Sequence, residues 1–308
     1  MALNTNNASA IAASIFDTKD SAEVARPTFT VVTPNYNMGD YLVPTIESVL
    51  RNLAPGDEYF IIDGGSSDAS VDVIRSYGDK LTGWVSERDG GYAEAVSKGF
   101  RQARGHYLCW VNSGDLLLEG ALDKARAALE ATGADLIFGD DLLIDDAGKI
   151  LQVTNGHAAD LRAMMLYAGW TPLQESCFWT REVYERVGGI DPAVKYAADY
   201  DLFLRISMAG RCQYLPAVFG AFRRHEGQLS MAKTALYKAE RERCRARELA
   251  ALPRNPWLPL ITSFFWLKVR WRVRMLSKKR NMSHLEGKPV MAVASQDTLN
   301  GGGVSHGV

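Results

Sequence analysis

The chain has four cysteines among its 308 residues, Cys109, Cys177, Cys212 and Cys244, and no two of them form a CxxC pair. Such spacing excludes a thioredoxin-type redox motif and a disulfide framework. With no secretory leader in evidence, reduced thiols in a cytoplasmic setting are the expectation. Histidines number five, and no His/Cys cluster has zinc spacing, which excludes a preformed structural zinc site. No uninterrupted apolar run approaches the ~20 residues that a membrane-spanning helix requires, and no repeat at solenoid spacing is visible. Basic residues are scarce through residue 222, with 18 Lys+Arg against 30 Asp+Glu, whereas residues 223 to 280 hold 16 against 4. An acidic body with a basic appendage suits a polyanion, either nucleic acid or an anionic membrane surface. No nucleic-acid motif accompanies the basic block, so nucleic acid is not expected as a partner.

What is present is apolar and orderly. At 47% hydrophobic, the chain can bury a core of one large domain with an appendage. Residues 1–26 are polar and Ala/Asn-rich and read as a mobile arm. From Phe29 the pattern alternates strand, polar break and helix: Phe29–Thr33, Tyr59–Ile62, Trp84–Val85, His106–Val111 and Asp135–Phe138 read as strands separated by helical segments. Strands alternating with helices predict a parallel, doubly wound sheet. Residues 231–282 read as a basic and aromatic helical extension. Its segment Trp257–Leu267, followed by Lys268, Arg270, Arg272 and Arg274, suits either a helix lying in a membrane interface or one packed on protein. Residues 283–308 read as a disordered tail.

Asp63-Gly-Gly-Ser-Ser-Asp68 follows the strand Tyr59–Ile62 directly, which places a carboxylate at the C-terminal edge of the sheet, where open α/β folds bind ligands. Asp68 is placed to cap the next helix. Asp115, after Val111, and the pair Asp199 and Asp201 add acidic groups at further element ends. Carboxylates gathered at one edge repel one another unless a cation or a ligand's positive group lies between them. A divalent ion held by one or two carboxylates and a substrate phosphate would resolve that conflict.

The ordered motifs Thr33-Pro34-Asn35-Tyr36-Asn37, Asp63 to Asp68, Glu87-Arg88-Asp89-Gly90-Gly91-Tyr92 through Lys98-Gly99, Asn112-Ser113-Gly114-Asp115, Gly188-Gly189-Ile190-Asp191 and Asp199-Tyr200-Asp201-Leu202 resemble the family 2 glycosyltransferases. The resemblance covers about Phe29 to Ser230, within a domain drawn at 27–230. It implies a GT-A fold, an α/β Rossmann-like, mostly parallel sheet flanked by helices, here with a basic helical C-terminal extension. It also implies a nucleotide-diphosphate sugar donor, a UDP-sugar by family frequency, a divalent metal (Mn²⁺ or Mg²⁺) and inversion at the anomeric carbon.

Position by position, the resemblance puts Thr33, Pro34, Asn35 and Asp63 on base and ribose. Asp89 and Gly90 fall near the donor, Lys98 or Arg88 near its diphosphate, and Asn112 or Ser113 near ribose or diphosphate. Asp115 becomes the main metal ligand and His225 a second. Trp170 and Gln174 fall on the acceptor side, with Asp199 as general base and Asp201 as second choice. Two departures stand out: Gly114 occupies the place of a second carboxylate, and Ala197-Ala198 replaces the acidic residue expected before Asp199. The implied role is transfer to a glycan or lipid-linked acceptor in surface polysaccharide biosynthesis, in the cytoplasm or peripherally at the inner face of the membrane. Homo-oligomerisation stays open. The competing readings are a catalytically degenerate scaffold subunit and a sugar nucleotidyltransferase; the absence of a basic residue from Thr33 to Gly39 counts against the latter.

Overall fold

The computed structural model describes residues 27–154, 156, 160–225, 233–252 and 285–290. The expected N-terminal arm, the aromatic stretch Trp257–Arg274 and most of the expected tail lie outside the described residues.

Strand β1 (Phe29–Asn35) is buried along its whole length, as its β-branched run requires of a central strand. Helix α1 (Gly39–Leu50) leads to β2 (Glu58–Asp63), α2 (Ser70–Ser76) to β3 (Gly83–Ser86), and α3 (Tyr92–Phe100) to β4 (Tyr107–Trp110). The short β5 (Leu116–Leu117) precedes α4 (Ala121–Thr132), β6 (Leu136–Ile144), β7 (Ile150–Thr154) and β8 (Cys177–Thr180). Helices α5 (Arg181–Arg186) and α6 (Ala198–Ala209), strand β9 (Cys212–Arg223) and helix α7 (Thr234–Ala251) follow.

The strands form one sheet in the order β3-β2-β1-β4-β8-β6-β9-β5, with β7 on β6. From β3 to β4 every pairing is parallel, whereas β8 runs antiparallel to both β4 and β6. The chain leaves β1 for β2 and β3 on one side, then returns to β4 on the other. That reversal opens a crevice at the C-terminal ends of β1 and β4, the usual ligand position in such sheets.

The main core is sealed by a cluster of rings. Trp110 and Trp179 meet edge to face at 5.5 Å, and Trp110 stacks on Phe203 at 6.0 Å. Near the opposite end of β1, Arg126 is 2% exposed, donates two hydrogen bonds to Asp57 (2.7 and 2.8 Å) and a third to the Pro27 carbonyl. Residues 285–290 correct the expectation of a disordered tail at that point. The Gly287 N–H donates to the Ile150 carbonyl and the Ile150 N–H to that of Lys288, while Leu285 and Val290 are buried against Leu142 and Ile144. The backbone bonds and the two apolar side chains together anchor the turn.

Candidate functional site

A cavity of about 1000 Å³ occupies the crevice. Pro34 and Asn35 at the end of β1, Asn112, Ser113 and Asp115 after β4, and Asp199 at the start of α6 all line it. Asn35 Oδ1 accepts from Ser113 Oγ (2.8 Å), so the two strand ends are stitched together across the switch point.

The donor-side candidates divide. Asp89 lines the cavity with one oxygen bonded to the Gly91 N–H and the other without a partner, and burial raises its carboxyl above the usual range. Asp63 does not reach the cavity. It is fully buried, and its two oxygens accept five hydrogen bonds, from Asn35 Nδ2, the Ser66 hydroxyl and N–H, the Gly65 N–H and the Ser86 hydroxyl. Burial alone would raise its carboxyl, but the bonds from Ser66, Ser86 and Asn35 outweigh it and hold the group low. In this structure Asp63 thus builds the loop instead of facing a base. Thr33 is likewise buried, its hydroxyl 2.9 Å from Tyr59 Oη. Lys98 turns away to Glu87 (3.0 Å) and Glu94 (3.5 Å), and the Gly90 N–H is taken by Glu94, whereas Arg88 lines the cavity. Asp68 accepts from the Ser70 and Gly39 N–H groups, so it fastens the starts of α2 and α1 together.

Asp115 is 4% exposed, and its oxygens accept from the Arg223 N–H (2.9 Å) and Asn112 Nδ2 (3.3 Å). Burial pushes its carboxyl up to about 7. His225 lines the same cavity with its ring 5.0 Å from that of Tyr41. Among the described residues no group of three or more His, Cys, Asp or Glu could hold a metal by itself. The donor set fits a divalent ion only as a partial site: one carboxylate, with a lone pair left on each oxygen, and one imidazole, to be completed by ligand phosphate oxygens. Gly114 has φ +104°, a region disfavoured for L-residues, so a carboxylate at this position would strain the loop's backbone.

On the other wall, Asp199 sits in the first turn of α6, and its Oδ1 has no hydrogen-bond partner. Burial raises its carboxyl to about 6. Asp201 does not line the cavity. It is fully buried with both oxygens paired, to Arg205 (2.6 and 2.9 Å) and to Arg247 Nη2 (2.7 Å). Gln174 lines the cavity, accepts from Asn112 Nδ2 and donates to the Trp110 carbonyl. Trp170 does not line it; its ring packs on Phe138 at 6.2 Å.

Sequence reasoning missed Glu175, which is 2% exposed, lines the cavity and leaves Oε1 unpartnered. Burial and the neighbouring charges of Asp141 and Asp115 hold its carboxyl well above the usual range. It also missed the aromatic wall of Tyr92, Tyr196, Phe222 and Tyr237. An acidic residue straight after Gln174 was the available signal for Glu175; none marked Tyr237, which comes from a helix remote in sequence. The described part of the basic extension is helical and packs on the body: Arg241 and Arg245 donate to the Gly169 and Leu166 carbonyls, and Arg247 binds Asp201.

A mixed sheet with its ligand crevice at the β1/β4 switch, walled by carboxylates, defines a GT-A type body. Residues 30–163 match the family described as Glycosyl transferase family 2. It is 25% identical over 191 residues to an uncharacterized glycosyltransferase of Rickettsia typhi, covering 59% of this chain and 60% of that protein. It is 29% identical over 130 residues to a putative teichuronic acid biosynthesis glycosyltransferase of Bacillus subtilis, 39% of this chain and 52% of the relative. Among solved structures, a mannosyltransferase from Pyrobaculum calidifontis in complex with GDP-Man and Mn²⁺ aligns with TM-score 0.55 at 18% identity, covering 80% of this chain and 71% of that one. The match therefore spans little more than half the length of these two curated relatives.

Proposed function

We propose that the protein is an inverting glycosyltransferase that moves a sugar from a nucleotide-diphosphate donor to a hydroxyl of a glycan or lipid-linked acceptor, in surface polysaccharide synthesis. The observation that carries this reading is Asp199: a carboxylate with an unpartnered oxygen, facing a cavity whose opposite wall is the switch point of the sheet. The Bacillus subtilis relative supports the polysaccharide setting, and the GDP-Man complex supports a nucleotide-sugar donor.

In this reading the nucleotide lies against Pro34, Asn35 and Asp89, with Arg88 facing the diphosphate. Asp63 acts indirectly by holding the 64–67 loop. Asn112 and Ser113 orient ribose or phosphate. Asp115 and His225 would hold a divalent ion, which when bound neutralises charge on the leaving diphosphate. Asp199 takes the acceptor hydroxyl proton as that oxygen attacks the anomeric carbon from the face opposite the diphosphate. A carboxyl raised to about 6 is still ionised at neutral pH, yet more basic than an exposed aspartate. Gln174 and Glu175 line the acceptor side.

The test is a thermal-shift panel of UDP-, GDP- and dTDP-sugars with and without Mn²⁺, followed by turnover of the stabilising donor. One nucleotide should raise the melting temperature, and Asp199→Asn should keep that shift while losing at least a hundredfold in turnover. A panel with no response, or an Asp199→Asn protein of undiminished turnover, refutes the assignment and favours a scaffold.

A further inference from the structure

Helix α6 begins without a cap of its own. Its N-cap residue is Ala197, which has no side chain able to accept from the free N–H groups of the first turn. Asp199 lies in that turn, so the base is carried by the end of the helix most prone to fray. One side chain from elsewhere takes the first of those N–H groups, and a second holds the segment that leads into the helix. The Tyr92 hydroxyl accepts from the Ala198 N–H (2.9 Å) and donates to the Tyr196 carbonyl (3.2 Å). From α7, Glu240 accepts from three consecutive backbone N–H groups, Lys195 (3.2 Å), Tyr196 (2.6 Å) and Ala197 (3.1 Å). The Glu240 side chain is 12% exposed, and its only close cation is Arg243 at 3.5 Å, itself 66% exposed, so among the described residues those amides are its main partners.

We propose that Glu240 is a positioning residue for glycosyl transfer: its carboxylate, supplied from outside the helix, fixes the 195–197 segment and with it the place of Asp199. A carboxylate suits this role twice over. It can accept several N–H bonds at once, each strengthened by its charge, and it complements the positive end of the α6 dipole. The three arginines behind it on α7 keep that helix in place, through Gly169, Leu166 and Asp201. Helix α7 is thereby part of the catalytic apparatus. The inference rests on Asp199 being the base.

The experiment compares Glu240→Ala and Glu240→Gln in the full chain by amide hydrogen exchange and by turnover of the donor that the panel selects. In Glu240→Ala, exchange at 195–197 should rise at least tenfold while β1 stays protected. Turnover number should fall at least tenfold with donor KM within twofold. Glu240→Gln keeps one acceptor oxygen and should recover part of both. Because Glu240 acts through Asp199, adding Glu240→Ala to Asp199→Asn should cause no further loss. Unchanged exchange at 195–197, or an equal loss in the Asp199→Asn background, overturns the proposal. Undiminished turnover in Asp199→Asn alone instead refutes the base assignment, and exchange then still decides whether Glu240 holds the 195–197 segment.

Discussion

Replacing Asp199 by Asn should make the protein more stable at neutral pH while it loses activity. The carboxyl rises from 3.8 to about 6 because it is buried, and its Oδ1 lacks a hydrogen-bond partner. The folded chain therefore prefers the protonated form. The stability this preference contributes is complete below pH 3.8 and is lost as pH rises through about 6. Above that the wild type carries the full burden of a buried charge, at most about 3 kcal/mol at 1.36 kcal/mol per pH unit. Water reaching the carboxylate from the cavity side lowers this to about 2 kcal/mol, which raises Tm by about 4–8 °C for a domain of this size. Asn has the same shape and no charge, so it escapes the penalty. Melting curves from pH 4 to pH 8 should show the two proteins level at the acid end, then a gap that opens and reaches a plateau above about pH 6.5. Wild-type turnover should rise over the same interval, about tenfold per pH unit below the midpoint, since only the ionised form accepts a proton. An Asn variant that is no more stable than the wild type at pH 8 refutes the claim that this carboxylate is held at a cost.

Arg126→Ala should destabilise by about 3–5 kcal/mol in urea titration, because it strands the buried Asp57 carboxylate. Nucleotide affinity of the protein that remains folded should be unchanged. Gly99→Ala would put a methyl 2.5 Å from Val32 Cγ1 and 2.7 Å from Cγ2. It should cost about 1–3 kcal/mol in the same titration, and Val32→Ala should recover part of that. Gly114→Asp restores the carboxylate common in the family but at φ +104°. Calorimetry with Mn²⁺ should find no tighter binding, and unfolding should show a loss of about 1–3 kcal/mol.

The sequence reading went furthest where neighbouring residues decide the outcome. The run Phe29–Thr33, the break after Ile62 and the motif Asn112–Asp115 marked strand ends, and those ends do meet at the switch point. The start of α6 near Ala198, and with it the place of Asp199 in the first turn, was legible for the same reason. Roles set by distant partners were not legible. Asp63 looks open in sequence, yet Asn35 and Ser86, 28 and 23 positions away, consume its acceptors. Asp201 looked like a second base until Arg247, 46 positions later, proved to bind it. Lys98 was drawn off by Glu87, and Trp170 by Phe138. In each case a residue type suited to ligand binding had found a partner in the chain that local pattern does not reveal.

The Tyr92 hydroxyl, at the start of α3 just after the Asp89 loop, bonds to both sides of the α6 start, at Tyr196 and Ala198. One phenol oxygen is thus a hinge pin between the wall assigned to the donor and the wall that carries the base. A displacement of the 89–92 loop by an arriving nucleotide would be transmitted to Asp199 within two hydrogen bonds. In the proposed reaction such a linkage would let a seated donor set the position of the base, which favours turnover with the donor bound first.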